Sequence, residues 1–156
     1  MPTTAKDRAL RLLGVRSRSR EELRRRLRQA GHDPDEIEAA LADLERVGLI
    51  DDEAFADEVV RWKLGRRGYG HRAAITALRK AGVDREVAER AVEAAGWEDE
   101  QSRAEEVATA RLPRLASLDP ETAYRRMLSF LLRRGFDPEV ARSACARVLE
   151  TAGSPD

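Results

Sequence analysis

The sequence predicts an all-α fold: an elongated, curved array of three tandem three-helix repeats. Three observations predict it. Apolar residues recur at helical spacing along the chain, and no stretch alternates convincingly at period two. A helix-ending motif occurs three times, as Leu27-Arg28-Gln29-Ala30-Gly31-His32-Asp33-Pro34, Leu78-Arg79-Lys80-Ala81-Gly82-Val83-Asp84-Arg85 and Leu131-Leu132-Arg133-Arg134-Gly135-Phe136-Asp137-Pro138. Its glycines are 51 and 53 residues apart. Charge follows the same rhythm: net +7 over residues 1–30, −10 over 31–60, +7 over 61–82, −6 over 83–106, +4 over 107–135 and −2 over 136–156.

The motif explains itself locally. Gly31, Gly82 and Gly135 stand where a helix ends in a left-handed residue, which glycine adopts without strain. Asp33, Asp84 and Asp137 suit the cap of the next helix, and Pro34 and Pro138 its first position. The other helices follow in order. Ala5, Ala9, Leu12 and Leu13 give a short first helix. Ser19 and Glu22 form a capping box opening the second, with Leu23 and Leu27 inward. Ile37, Leu41 and Leu44 line the third. Phe55, Val59 and Trp62 line a fourth from about Asp52 to Leu64, Ala74, Ile75 and Leu78 a fifth, and Val87 and Ala91 a sixth. Val107, Ala110 and Leu112 line the seventh, before Pro113. Tyr124, Met127, Leu128 and Leu131 line the eighth, and Val140, Ala144 and Val148 the ninth, with Cys145 a core thiol. The repeats are expected at 5–50, 51–96 and 97–152, with Gly65–Gly70 and Arg114–Asp119 as the flexible joints. Units this small have small cores, so neighbours should stack and share apolar surface.

Composition excludes several classes. The 156 residues hold 29 basic and 29 acidic side chains, so the net charge is zero. No run of about 18 apolar residues predicts a membrane span. The residues from Met1 to Arg8 show no secretory signal, and one cysteine makes no internal disulfide, so a cytoplasmic protein is expected. A monomer is expected, since no unpaired apolar face is obvious. His32, in a turn and solvated, and His71 are the only histidines. Neither has a nucleophile or ligand set around it that lacks a simpler capping role. No enzyme, metal or cofactor is expected.

The positive signal is charge. Arginines number 26 against three lysines, which suits bidentate contacts to phosphates or carboxylates and equally suits a GC-rich genome. The sharpest local signal is Arg61-Trp62-Lys63-Leu64-Gly65-Arg66-Arg67-Gly68-Tyr69-Gly70-His71-Arg72, with five basic residues, no acidic one and an aromatic between glycines. With Tyr69 exposed it would hold a phosphate backbone and stack a base, or engage an acidic protein surface. The plainer alternative is a turn with Tyr69 packed over it. Arg24, Arg25 and Arg28 face outward from the second helix, Arg72, Arg79 and Lys80 occupy the matching helix of the second repeat, and Arg125, Arg126, Arg133 and Arg134 that of the third. These would form a basic stripe beside an acidic one of Asp35, Glu36, Glu38, Asp43 and Glu45. Salt bridges between the stripes are the structural alternative, at under about 1 kcal/mol each.

Taken in order, these residues resemble the RecX family of bacterial recombination regulators. The resemblance is carried by Ala9-Leu10-Arg11-Leu12-Leu13, Arg18-Ser19-Arg20-Glu21-Glu22-Leu23-Arg24-Arg25-Arg26-Leu27, Gly48-Leu49-Ile50-Asp51-Asp52-Glu53-Ala54-Phe55, Arg66-Arg67-Gly68-Tyr69-Gly70, Ile75, Leu78, Lys80-Ala81-Gly82-Val83 and Phe130-Leu131-Leu132-Arg133-Arg134-Gly135-Phe136. It implies binding in the groove of the RecA nucleoprotein filament, inhibition of ATP hydrolysis and strand exchange, filament disassembly, and weak binding to single- or double-stranded DNA. It implies partner contacts by Arg24, Arg25, Arg28, Arg66, Arg67, Tyr69 and Arg72, with Arg79 and Lys80 beside them, while Asp51 and Asp52 cap the following helix. The alternative reading of the charges is a stand-alone, sequence-nonspecific nucleic-acid-binding helical module.

Overall fold

A computed structural model of the chain describes residues 2–95 and 99–153, without the side chains of Leu64 and Arg66. Among these residues are nine α-helices, one 3-10 turn and no strand: α1 (Ala5–Val15), α2 (Arg20–Gln29), α3 (Pro34–Arg46), α4 (Asp52–Arg67), α5 (His71–Lys80), α6 (Arg85–Ala94), α7 (Glu100–Arg111), the turn Leu112–Arg114, α8 (Pro120–Arg133) and α9 (Pro138–Gly153). No helix among them is long and apolar enough to cross a membrane. The expected boundary at residues 96 and 97 lies outside the described residues.

All three repeated glycine turns form as expected, and with one hydrogen-bond pattern. Gly31, Gly82 and Gly135 have φ of +88°, +91° and +88°. Each glycine N–H returns to the carbonyl three residues back (Arg28, Arg79, Leu132), and the next residue's N–H to the carbonyl five back (Leu27, Leu78, Leu131). This pair is the Schellman arrangement, which satisfies two orphan carbonyls at a helix end. A fourth copy ends α3 at Gly48, φ +81°, with Gly48 N–H to Glu45 and Leu49 N–H to Leu44.

The residues fall into two compact units. The first comprises the chain up to Val59 with Ala77–Ala91. In it α1, α2 and α3 pack together over Ala5, Ala9, Leu23, Leu27, Ile37, Ala40, Leu41, Leu44 and Ile50. Thr4 and Asp7 form the capping box of α1. At α2 only half of the expected box forms. Ser19 accepts the Glu22 N–H at 3.1 Å, but the Glu22 carboxylate turns to Arg16 and Arg18. The Ser19 hydroxyl also donates to the Ala81 carbonyl, and the Arg20 N–H donates to Asp52 at 2.9 Å. Asp51 caps α4 through the Ala54 N–H, whereas Asp52 serves the start of α2. His32 is packed rather than solvated. It occupies the residue after the turn glycine, a position filled by buried Val83 and Phe136 in the other copies, and it accepts from Arg8 Nε at 3.2 Å.

The second unit comprises Val60–Thr76 and the chain from Val92. There α7, α8 and α9 enclose Ala104, Ala108, Leu115, Met127, Leu131, Phe136, Ala141, Ala144 and Cys145. Leu115 is buried, so the Arg114–Asp119 connection is anchored in the core rather than a free joint. The Gly65–Gly70 joint is likewise corrected. Helix α4 runs on to Arg67, and the Gly70 and Arg72 N–H groups are tied to the Arg134 and Gly135 carbonyls at 2.7 and 3.0 Å. The C-terminal carbonyls of α8 thereby satisfy donors at the start of α5.

Three inner faces differ in part from their expected setting, though Ala91 is buried as expected and Val107 and Leu112 pack against the core. On α4 the buried residues are Ala56 and Val60, with Phe55 and Val59 half-buried and Trp62 43% exposed. On α6 they are Ala88, Ala91 and Val92, and on α7 Ala104 and Ala108, with Ala110 exposed. Apolar residues lie on more than one face of α4, so periodicity alone did not choose between them.

Candidate functional site

The expected contact residues divide between the two units. In the first, Arg24 is drawn into the fold. Its Nε and Nη2 reach both oxygens of Glu38 at 2.6 and 3.1 Å, and Nη1 meets Glu21. The hydrogen bonds with Glu38 raise its pKa further, so its charge is fixed. Arg20 pairs with Glu38 and Glu45. The basic face of α2 and the acidic face of α3 are thus joined by ion pairs, as the structural alternative had it. Arg25 keeps 54% of its side chain exposed, with Glu21 at 3.6 Å. Arg28, Arg79 and Lys80 are exposed and have no ion-pair partner among the described residues.

Behind this face lies an arginine the sequence did not single out. Arg18 is 6% exposed, donates from Nε to the Leu12 carbonyl at the end of α1, and pairs with Glu22 at 2.6 Å. Burial pushes the Glu22 carboxyl up, but the hydrogen bonds of Arg16 and Arg18 outweigh it and hold the pKa below its usual value. A carboxylate lowered on folding stabilises the fold above its unfolded pKa, and this is lost as pH falls through the folded value. The melting temperature should therefore fall as pH drops below about 4. Glu22→Gln should flatten that acid limb in circular-dichroism melts; an unchanged acid profile would remove Glu22 from this role.

A cleft lined by Arg20, Glu45, Ile50, Asp51, Asp52 and Glu53 opens beside the α3–α4 turn. Glu45 pairs with Arg20, Asp51 and Asp52 accept N–H groups at helix N-termini, Glu53 pairs with Arg90 at 3.2 Å, and burial raises the pKa of Asp52. No group of three metal-binding side chains gathers among the described residues.

In the second unit, the side chain of Arg66 lies outside the described residues. Arg67 sits on the last turn of α4, not in a loop, with its guanidinium 3.8 Å from the centre of the Trp62 ring. Tyr69 is half-buried, and its ring carries Lys63 Nζ at 4.7 Å and the Arg134 guanidinium at 5.1 Å. Arg134 also lies 5.1 Å from the Phe130 ring, over which Arg111 stands at 4.3 Å. Arg134 Nη1 donates to the Arg67 carbonyl at 2.7 Å. Arg72, 63% exposed, pairs with Asp137 at 3.1 Å. Sequence reasoning listed Arg67 and Tyr69 but missed Arg111, Phe130 and Arg134 as their neighbours. The Phe130–Arg134 spacing of four was the available signal, since it stacks side chains on one helix face.

Comparison with known proteins shows the family and the fold. Three family models match in order: "RecX, first three-helix domain" at residues 5–44, "RecX, second three-helix domain" at 51–92 and "RecX, third three-helix domain" at 98–145. The Regulatory protein RecX of Amycolatopsis mediterranei is 37% identical over 150 residues, covering 96% of this chain and 86% of that protein. That of Mycolicibacterium smegmatis is 42% identical over 143 residues, covering 88% and 75%. The crystal structure of RecX from Lactobacillus salivarius superposes with a TM-score of 0.83 at 22% identity, covering 92% of this chain and 94% of that one.

Proposed function

The chain belongs to the RecX family of regulatory proteins, and from that premise we propose that it is a negative regulator of RecA. It binds in the groove of the RecA filament on single-stranded DNA, lowers ATP hydrolysis and strand exchange, and favours disassembly. The observation that supports this reading is the presence of all three RecX domains in order. We assign the partner contacts to Arg25, Arg28, Arg79 and Lys80, whose charges are open to solvent, and to Arg66, Arg67, Tyr69 and Arg72. Arg24 joins them only by releasing Glu38. The repeats at 5–50, 51–96 and 97–152 are the proposed domains. The role is one of binding, with no reaction assigned to the chain.

The test is RecA's ATPase on single-stranded DNA with this protein titrated below one molecule per RecA protomer. Inhibition at those ratios is expected, because one molecule lodged in a filament affects many protomers. ATP hydrolysis and strand exchange unchanged at every ratio would overturn the proposal.

A further inference from the structure

Charge on this chain is segregated although its total is zero: residues 31–60 carry net −10 and residues 107–135 net +4. Each of these blocks also exposes aliphatic surface. In the first unit Val47 and Leu49 are 65% and 52% exposed, on either side of the turn at Gly48. Gly48 lines the same cleft as Glu45, Asp51, Asp52 and Glu53, so the aliphatic pair borders on that cleft. Four carboxylates there share the one lining cation, Arg20, and Asp51 and Glu53 are exposed. Arg90 reaches Glu53 from α6 and still leaves the corner negative. In the second unit Leu132 is 42% exposed on α8. The exposed Ser129 lies one turn before it, and the exposed Arg126 and Arg133 flank the pair. Arg133 donates to the Ser129 hydroxyl at 2.6 Å, and neither Arg126 nor Arg133 has an ion-pair partner among the described residues. The α3–α4 corner is thus aliphatic and acidic, and the outer face of α8 is aliphatic and basic.

We infer that these two faces bind each other between copies of this chain. Leu132 of one copy seats between Val47 and Leu49 of another, and its Arg133 meets the carboxylates of Asp51 and Glu53. Burial of the aliphatic side chains supplies the attraction, and the opposite charges fix which face meets which. Two acidic corners repel, as do two basic faces, so unlike faces meet and the contact is head to tail. A second copy suits the corner where a polyanion does not, because the corner's own charge repels a polyanion. A net charge of zero also means that whole copies do not repel one another. The expectation of a monomer rests on there being no unpaired apolar face, and the structure exposes these two. So few side chains make a small interface, with a Kd on the order of 10–100 µM. None of these residues is among those assigned to RecA, so the self-contact stands independently of any effect on RecA.

The experiment is sedimentation velocity of the full, nuclease-treated chain over a range of concentrations. The sedimentation coefficient should rise with concentration at low salt, and the rise should shrink in about 1 M sodium chloride, where the Debye length is about 3 Å. Leu49→Arg disables the acidic corner and Leu132→Glu the basic face, each at an exposed side chain. Each variant alone should self-associate about tenfold more weakly, the loss of one anchoring side chain. Mixed in equal amounts, the two should form a 1:1 dimer and nothing larger, because one intact corner and one intact basic face remain between them. If either variant has a lowered melting temperature, Val47→Ser and Arg133→Glu take their places in the same design. A parental protein that stays monomeric at every concentration would overturn the inference and leave both faces to other partners. Variants that associate like the parent would overturn it too. So would a mixture that stays monomeric when both variants are, because the two faces would then not be each other's complement.

Discussion

Gly135→Ala should destabilise the fold by about 2–5 kcal/mol, while Gly31→Ala should cost only about 1–2 kcal/mol. The two glycines end equivalent helices with the same φ of +88° and the same pair of turn hydrogen bonds. Strain from a left-handed backbone is therefore common to both. Space is not. A Cβ on Gly31 would meet nothing within 4 Å, whereas one on Gly135 would overlap the backbone N and Cβ of Ala73 and lie 2.9 Å from its Cα. Backbone cannot swing aside as a side-chain end can. The approach is close because Gly70 and Arg72 hydrogen-bond to the carbonyls of Arg134 and Gly135, and Gly70 would itself meet the Gly135 oxygen at 2.5 Å if it bore a Cβ. Gly82 repeats the theme in the first unit, where an added Cβ would lie 2.5 Å from the Cβ of Glu21. Urea and thermal melts of the variants decide the matter. Equal losses at Gly31 and Gly135 would show that conformation alone fixes these glycines and that the close approach is slack.

Much of the architecture was legible because it rests on local chemistry. A glycine followed two residues later by aspartate specifies a turn and a cap within a few residues, and Asp33 and Asp137 do accept the N–H groups of Asp35 and Glu139. What was not legible depends on residues far apart in sequence. Nothing near Ser19 announces that its hydroxyl bonds Ala81, and nothing near Asp52 that it serves Arg20 rather than its own helix. Gly68-Tyr69-Gly70 reads as a mobile loop until α8 is laid against it. The same limit applied to the candidate site. Exposure separates Arg28, Arg79 and Lys80 from Arg24, and exposure depends on whether α3 places a glutamate opposite. The ring-held cations come from α4, α7 and α8 and one of their rings from the loop at Tyr69, so only the Phe130–Arg134 pair left a trace in local spacing.

Phe136→Ala should cost about 3–5 kcal/mol, the range for emptying a large buried side chain. The residue follows the turn glycine, where the Schellman arrangement aims its side chain back at the helix just ended. It is 1% exposed and shares a core with Met127, Leu131, Ala144 and Cys145. Of the residues at this position in the three repeats, His32, Val83 and Phe136, it is the largest. Cys145 supplies a second readout. It is the chain's only cysteine and is fully buried, and burial pushes its thiol up to about 11. A thiol so placed is protonated and shielded, hence slow towards a thiol reagent. The cavity in Phe136→Ala should speed modification of Cys145 well below the melting temperature. A matching cavity in the first unit, Leu23→Ala, should lower stability without that local acceleration, since the core there contains no cysteine. Slow labelling in Phe136→Ala together with a parental melting temperature would mean that α8 and α9 close over the gap, and that this core is far less tightly fitted than its buried surfaces indicate.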